Sequence, residues 1–347
     1  MSPRKGRVRS GAIKPVTIDR KSPLLDRKAM TLSAAPKVSV LIPCYNAERY
    51  IAETMTAVLA QTWQNIEVVV VDDGSSDSSW QIMSDFASSS VRVYRQSNRG
   101  QTAALNVCLT HASGDFIQYL DADDIIDPEK IELQMRRLLN HTDCVASAEW
   151  GRFINFPAET RWNPEPLWRD LDPIDWLALS RSDGLGMMFP ALWLIPREIA
   201  QRAGPWNETL TLNNDAEYFT RVLLAARRIL FCQGARCRYR SGDPRSLSAR
   251  KSQKGWVSQW TVLDLCETYV RAREDSDRVR RGFALSWQHF AHSAYPYDPA
   301  IAERALERAS KLHSVSIRPG GGQMFELVSK LLGWRIARRL QVASGRQ

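Results

Sequence analysis

The chain has 347 residues, 44% hydrophobic and 24% charged, with a formal charge of +9, which suits one large domain or a core with an appendage. No run approaches the roughly 18 consecutive apolar residues of a membrane-spanning helix. The basic start MSPRKGRVRS leads into no apolar stretch of the secretory type, so a cytoplasmic protein is expected.

The charge is uneven. Residues 1–36 carry nine Lys and Arg against two acids, and residues 311–347 seven against one. Basic ends on a mildly acidic body argue against a nucleic-acid-binding domain, whose charge should line a folded surface. Residues 1–36, rich in Arg, Lys, Ser and Pro, are expected to be a disordered leader. From Val38 strand-like and helix-like segments alternate. Val38–Ile42 is a wholly apolar run, as in a strand buried on both faces. Glu48–Gln61 follows with helical spacing, then Ile66–Val71 as a strand and Asp77–Ala87 as a helix. Val91–Arg95, Gln101–His111, Phe116–Leu120, Pro128–Leu139 and Cys144–Ala148 continue the alternation, which predicts a parallel, doubly wound sheet. Beyond Glu149 the pattern loosens. Met187–Ile195 and Ile229–Arg240 read as strands and Asp215–Arg227 as a helix. From Gly255 only helices are expected: Trp256–Arg273, Val279–Tyr295, Pro299–Leu312 with Asp298 as N-cap, and Gln323–Leu340. The six cysteines form no CxxC and no zinc-type pairing with His, so buried, reduced thiols are expected rather than disulfides.

Ligands of doubly wound sheets sit at the carboxyl ends of the strands. Here those ends carry Pro43-Cys44-Tyr45-Asn46, Asp72-Asp73-Gly74-Ser75-Ser76-Asp77, Asn98-Arg99-Gly100 and Asp121-Ala122-Asp123-Asp124. Singly, each has an ordinary account: Asn46 and Asp77 as helix caps, Asp-Asp-Gly-Ser as a turn. Together they crowd five acids on one edge (Asp72, Asp73, Asp121, Asp123 and Asp124), a repulsion that a divalent cation would relieve. Magnesium or manganese bound with a diphosphate prefers such hard, sparse ligation. Neither a GxGxxG turn after the first strand nor a P-loop is present.

From about Val38 to Ser248 the sequence resembles the inverting family 2 glycosyltransferases, which have the A-type nucleotide-sugar transferase fold. The resemblance rests on VSVLIPCYNAERYIAETMTAVLAQTWQNIEVVVVDDGSSDSS, SNRGQTAALN, YLDADD, AGPWNETLTLNNDAEYFTRV and YRSGDPRSLS. It implies an α/β fold with a Rossmann-like, doubly wound mixed sheet and a C-terminal helical appendage. The implied divisions are a leader at 1–36, a catalytic domain at 37–250 (nucleotide-binding part 37–125, acceptor part 126–250) and a helical region at 251–347. It also implies roles. Pro43, Tyr45 and Glu48 would flank base and ribose, with Asp73 reading the base edge and Asp72 beside it. Asn98 and Gly100 would border the nucleotide, Asp121 would contact ribose and metal, and Asp123 the metal. Asp215 would be the catalytic base, with the family's usual arginine at Arg221. Many members have Glu where this chain has Asn214, which weakens any role for that position.

The implied reaction transfers a sugar from a nucleotide diphosphate, UDP being the family's preference, to an acceptor hydroxyl, with Mn2+ or Mg2+ as cofactor. Asp215, expected to keep an ordinary aspartate pKa of about 3.9, would take the hydroxyl proton on the face opposite the leaving group. Asp215 as a mere helix cap is the plainer alternative. Rival functions are a nucleotidyltransferase, for which the basic Gly-rich loop is lacking, and a sugar-nucleotide-binding protein without transfer activity. The tryptophans at 150, 162, 168, 176 and 193 lie where an acceptor is expected, though buried Trp mostly packs. In the last helix Met324, Leu327, Val328 and Leu331 share a face and Arg335, Arg338 and Arg339 cluster. These arginines would complement a helix C-terminus or support a peripheral membrane contact.

Overall fold

The computed structural model describes residues 35–182, 187–243, 252–317, 320 and 322–343. Most of the leader, and Pro244–Ser248 of the last matching segment, lie outside the described residues. The described residues from Pro36 onward form one compact unit.

The first half alternates as the pattern predicts: β1 (Val38–Cys44), α1 (Ile51–Leu59), β2 (Ile66–Asp72), α2 (Ser79–Asp85), β3 (Val91–Arg95), α3 (Gln101–His111) and β4 (Phe116–Tyr119). β5 (Ile125–Ile126) and α4 (Lys130–Leu138) follow. All seven residues of β1 are buried, which is why VSVLIPC shows no polar alternation. Helices α1 and α2 begin two or three residues later than their apolar spacing suggests, because the preceding residues are spent in the loops of the site.

β1 to β4 are parallel in the order β3-β2-β1-β4, with Cys44 opposite Asp72, Asp72 opposite Arg95 and Leu41 opposite Tyr119. Their carboxyl ends are therefore level. The chain steps outward from β1 to β3 and then returns to the other side of β1, so the crevice of such a sheet falls between the loops after β1 and β4.

A purely parallel continuation does not hold. β6 (Val145–Phe153) runs five residues past the predicted strand end, and the antiparallel β8 (Leu194–Pro196) separates it from β4. The strand expected at Met187–Ile195 is mostly not one: Pro190 starts a 3-10 turn over Pro190–Leu192. β9 (Ile229–Arg240) pairs parallel to β6, and β5 antiparallel to β9. The short β7 (Arg161–Trp162) pairs with β6. Two helices without a clean apolar period, α5 (Pro173–Ser182) and α6 (Arg197–Ala203), escape the pattern, and α7 (Asn214–Ala225) precedes β9.

The C-terminal region is helical: α8 (Gln253–Arg273), α9 (Asp277–Ala294), α10 (Pro299–Leu312), α11 (Gln323–Leu332) and α12 (Trp334–Ala343). Asp298 caps α10 by accepting from Ile301 N at 3.0 Å. The single last helix is in fact two, broken at Gly333, whose φ of +83° suits glycine. Among the described residues no helix is long and apolar enough to cross a membrane. All six cysteines are buried and free.

Candidate active site

Four loops meet above β1, β2, β3 and β4, and their side chains bind one another before any ligand is considered. Asn46, in the left-handed region at φ +50°, is no cap. Its Oδ1 accepts from Ser76 N at 2.9 Å, and its own N–H donates to Ser75 Oγ at 2.9 Å. Glu48 Oε2 accepts from Ser78 N at 3.0 Å, while Glu48 N donates to Asp77 Oδ2 at 3.2 Å. Each loop thus satisfies donors of the other, at the helix starts where backbone N–H groups lack partners. Asp77 retains a capping part through Ser79 N at 3.0 Å. Pro43 is buried beneath these loops, and Tyr45 stands half-exposed at the rim.

The five acids do not all repel. Asp72 is fully buried, accepts from Ser75 N and pairs with Arg95 Nε at 3.0 Å. Asp73 Oδ1 accepts from Gln96 Nε2 at 2.7 Å and Arg99 N at 2.9 Å, and its Oδ2 from Gly100 N at 2.8 Å. A carboxylate offers about four acceptor positions, so Asp73 keeps one beyond these three. The approach of the second and third loops requires Gly74: a Cβ there would lie 2.8 Å from Asn98 N, at a φ of +74°.

The crowding is real at Asp121, Asp123 and Asp124. Their turn is held from two sides. Thr54 Oγ1 donates to the carbonyls of Ala122 (3.0 Å) and Asp124 (2.9 Å). Arg240 donates through Nε to Asp123 O and through its backbone N to Asp124 Oδ1, both at 2.9 Å. Burial pushes all three carboxyls above the usual range. Asp215 and Asp123 raise Asp121 further, while Arg240 draws Asp123 back down.

Asp215, 94 positions after Asp121, thus stands beside it. It is not the N-cap of α7. Asn213, at φ +59°, takes that place, and Asp215 is the second helical residue. Its Oδ1 is buried with no hydrogen-bond partner among the described residues. Burial pushes Asp215 up to about 7, overturning the ordinary pKa expected of it.

Packing explains how strand and helix bring these carboxyls together. Tyr119, two residues before Asp121, meets Tyr218 of α7 oxygen to oxygen at 2.9 Å. Trp206 stacks on Tyr218 at 4.0 Å between ring centres and meets Tyr119 edge-on at 5.3 Å. Asn106 of α3 clamps Trp206, accepting from its N at 2.8 Å and donating to its O at 3.0 Å. Arg221 pairs bidentately with Glu217 at 2.7 and 2.8 Å and donates to Ala203 O and Pro205 O. Glu217 is thereby a fixed ion pair and no spare base.

Two residues escaped the sequence reading. Gln101 donates to Asp121 Oδ1 at 2.8 Å and accepts from Asn214 Nδ2 at 3.3 Å, joining the acidic turn to the start of α7. Arg240 is the buried cation of the acidic turn. Both stand inside the quoted motifs; only their long-range partners were illegible. Of the five tryptophans, Trp176 and Trp193 are buried and pack on each other, so they belong to the core. Trp162 lies under Arg236 and Arg238, and Trp168 stacks on Phe231.

Parts of the sequence, and the fold, are similar to those of known proteins. An uncharacterized glycosyltransferase of Haemophilus influenzae is 40% identical over 110 residues, covering 30% of this chain and 44% of the relative. A glycosyltransferase of Rickettsia felis, also uncharacterized, is 31% identical over 196 residues, covering 55% and 32%. Glycosyltransferase GlyA of Streptococcus pneumoniae is 33% identical over 119 residues, covering 34% and 17%. The chain thus spans less than half the length of these relatives. In fold it resembles Staphylococcus aureus TarS 1–349 in complex with UDP-GlcNAc, with a TM-score of 0.65 and 18% identity over 89% of this chain and 92% of TarS 1–349. The mixed sheet is accordingly that of the A-type glycosyltransferase fold, with a helical C-terminal region. Residues 39–204 match the description of glycosyl transferase family 2, and Asp215 and α7 lie beyond that matched segment.

Proposed function

We propose that this chain is an inverting, divalent-cation-dependent glycosyltransferase that moves a sugar from a nucleoside diphosphate, UDP by preference, to an acceptor hydroxyl. The observation that carries the reading is the bridge of Gln101 between Asp121 and Asn214, which sets the buried Asp215 near the acidic turn that follows β4. The UDP-GlcNAc and UDP complexes of TarS support a nucleoside diphosphate sugar as donor.

On this reading Tyr45 and Pro43 flank the base, and the remaining acceptor position of Asp73 takes a base N–H. Glu48, Asp72, Asn98 and Gly100 shape the nucleotide's border. Among the described residues no three His, Cys, Asp or Glu side chains form a ready cation cage. The fit is instead of the sparse kind. Asp121, Asp123, Asp124 and Asp215 outnumber Arg240, and Asp124 Oδ2 and Asp215 Oδ1 are buried without partners among the described residues. Magnesium is commonly held by one or two carboxylates, with phosphate and water completing its shell, and Asp121 and Asp123 are those two here. When bound, the cation would neutralise charge on the leaving phosphates, a Lewis-acid effect of several kcal/mol.

Asp215 then takes the acceptor proton. A base is most effective when its pKa lies near the working pH, and burial has moved Asp215 to about 7. Gln101 holds Asp121 on one side and Asn214 on the other, so the two carboxyls keep their spacing. A thermal-shift screen of nucleotide sugars, with and without manganese, tests the proposal. A ligand at 100 times its Kd stabilises by ~2.7 kcal/mol. No shift with UDP or any nucleotide sugar in manganese would overturn the reading.

A further inference from the structure

The last two helices form a surface that the catalytic chemistry does not use. In α11, Met324, Leu327 and Leu331 recur at helical spacing and point to solvent, Met324 66% and Leu331 74% exposed. Leu332, Ile336 and Leu340 extend the apolar surface into α12, all about half-exposed. The inward positions are taken by Phe325 and Ala337, both buried. Trp334 packs edge-on against His292 and Tyr295, and Arg335 pairs with Glu303 at 2.8 Å. The helix pair is therefore seated on α9 and α10 by one side, and the side left over is apolar.

Charge selects the occupant. Between Gly322 and Ala343 stand Lys330, Arg335, Arg338 and Arg339 against Glu326, and with Glu303 of α10 answering Arg335 the surface stays net positive. A second copy would bring this positive rim against itself, and the leader, with nine basic residues against two acids, would be repelled as well. Leucine-rich faces with arginine and lysine alongside suit the boundary between acidic headgroups and acyl chains. Arginine also reaches outward while its stem stays on apolar surface.

We infer that α11 and α12 dock this protein on an anionic lipid bilayer. The seat is joined to the candidate site by a continuous series of contacts. Tyr297, just past α9, stacks on Trp256 of α8 at 5.6 Å. Two residues on, Ser258 Oγ accepts from Thr211 N and Leu212 N, both at 3.0 Å, in the loop that leads to Asp215. Docking would thus tie α8 and the loop before Asp215 to the bilayer through packed contacts. The docking does not depend on the transferase reading.

The test is co-sedimentation of the full chain with vesicles of phosphatidylcholine alone or with one third phosphatidylglycerol. Each basic residue near an anionic surface strengthens binding by about fivefold. The parent should therefore bind the anionic vesicles at least ~10-fold more tightly than the neutral ones, and less in about 1 M salt. Leu331→Glu with Leu340→Glu should keep the melting temperature, since both side chains are exposed, and lose binding by ~10-fold or more. Met324→Glu with Leu327→Glu provides an independent pair of substitutions. The inference is overturned if the parent binds neither vesicle, or both equally. It is also overturned if the parent is a dimer that these substitutions convert to monomer without any effect on vesicles.

Discussion

Replacing Asp215 by Asn should lower activity and raise stability together. The substitution keeps the size of the side chain and removes a carboxylate that is buried with an unpartnered oxygen. Burial places its pKa at about 7, while an unfolded aspartate titrates near ~3.9. The folded state therefore binds more protons between these values. The group's contribution is full below about pH 4 and is lost as pH rises towards 7. Three pH units correspond to ~4 kcal/mol as an upper bound. Relaxation of the site and entry of water lower this, and ~1–2 kcal/mol is expected, or roughly 1.5–3 °C in Tm for a chain of this size. The gain should appear at pH 8 in chelator and vanish near pH 4.

Turnover of donor and acceptor by Asp215→Asn should fall by ~10²-fold or more, the ordinary worth of a general base. Nucleotide affinity should stay within about twofold, because the loops proposed to hold the nucleotide precede residue 125. Glu217 cannot substitute, being held by Arg221. A variant that melts lower than the parent at both pH values would make the carboxylate a structural acceptor. A variant that transfers at the parental rate would place the base elsewhere. Either result refutes the reasoning.

Asp123→Ala should weaken UDP binding strongly in manganese and little in chelator, as titration calorimetry would register; equal affinities for mutant and parent in manganese would remove the cation from this site. A chain beginning at Ala35 should keep turnover on a soluble acceptor, since the sheet starts at Val38; lost turnover with the fold intact would bring the leader into the site. Tyr218→Phe removes the hydrogen bond to Tyr119 and should cost about 1 kcal/mol of stability, with kcat reduced more than nucleotide affinity; an unchanged kcat would deny the ring pair its positioning part. Burial raises all six thiols, Cys144 to about 11 and Cys44, Cys232 and Cys237 to about 12, so their stabilisation is complete below about pH 9 and lost above it, by up to ~1.4 kcal/mol per pH unit for a deeply buried thiol and by less for Cys144, which lies near the surface. Buried Lys130, lowered to about 8, acts oppositely between pH 8 and 10.5 but offsets only one thiol; cooperative unfolding near pH 10 is expected, and a melting temperature flat from pH 8 to 10.5 would contradict the burial.

The first half of the fold was legible because its signals are local. VSVLI and IEVVVV are apolar without alternation, as strands between two helical layers must be, and the intervening segments have helical spacing. Pattern failed where pairing is non-local. Nothing near Leu194 says that three residues will slip antiparallel between β4 and β6, nor that β6 will continue to Phe153. The division of the last helix was visible in principle at Gly333, but one glycine inside an apolar period is also tolerated by an unbroken helix.

The site divides the same way. Each loop could be located from the strand it follows, and the acids could be counted. Which acids stay charged against one another could not be. Asp72 and Asp73 are answered by Arg95 and by the N–H groups of Arg99 and Gly100, all more than twenty residues downstream. Asp121 is met by the neutral amide of Gln101 and by no cation among the described residues, and Asp215, with an unpartnered Oδ1, lies near it. Their spacing is fixed behind them by Tyr119, Trp206 and Tyr218, large rings whose packed surfaces leave little room for adjustment. A close-packed aromatic clamp can hold two carboxyls where mutual repulsion alone would separate them. The raised pKa of Asp215 is the cost of burying its carboxyl in that packed setting, and the stability that Asp215→Asn should recover measures that cost.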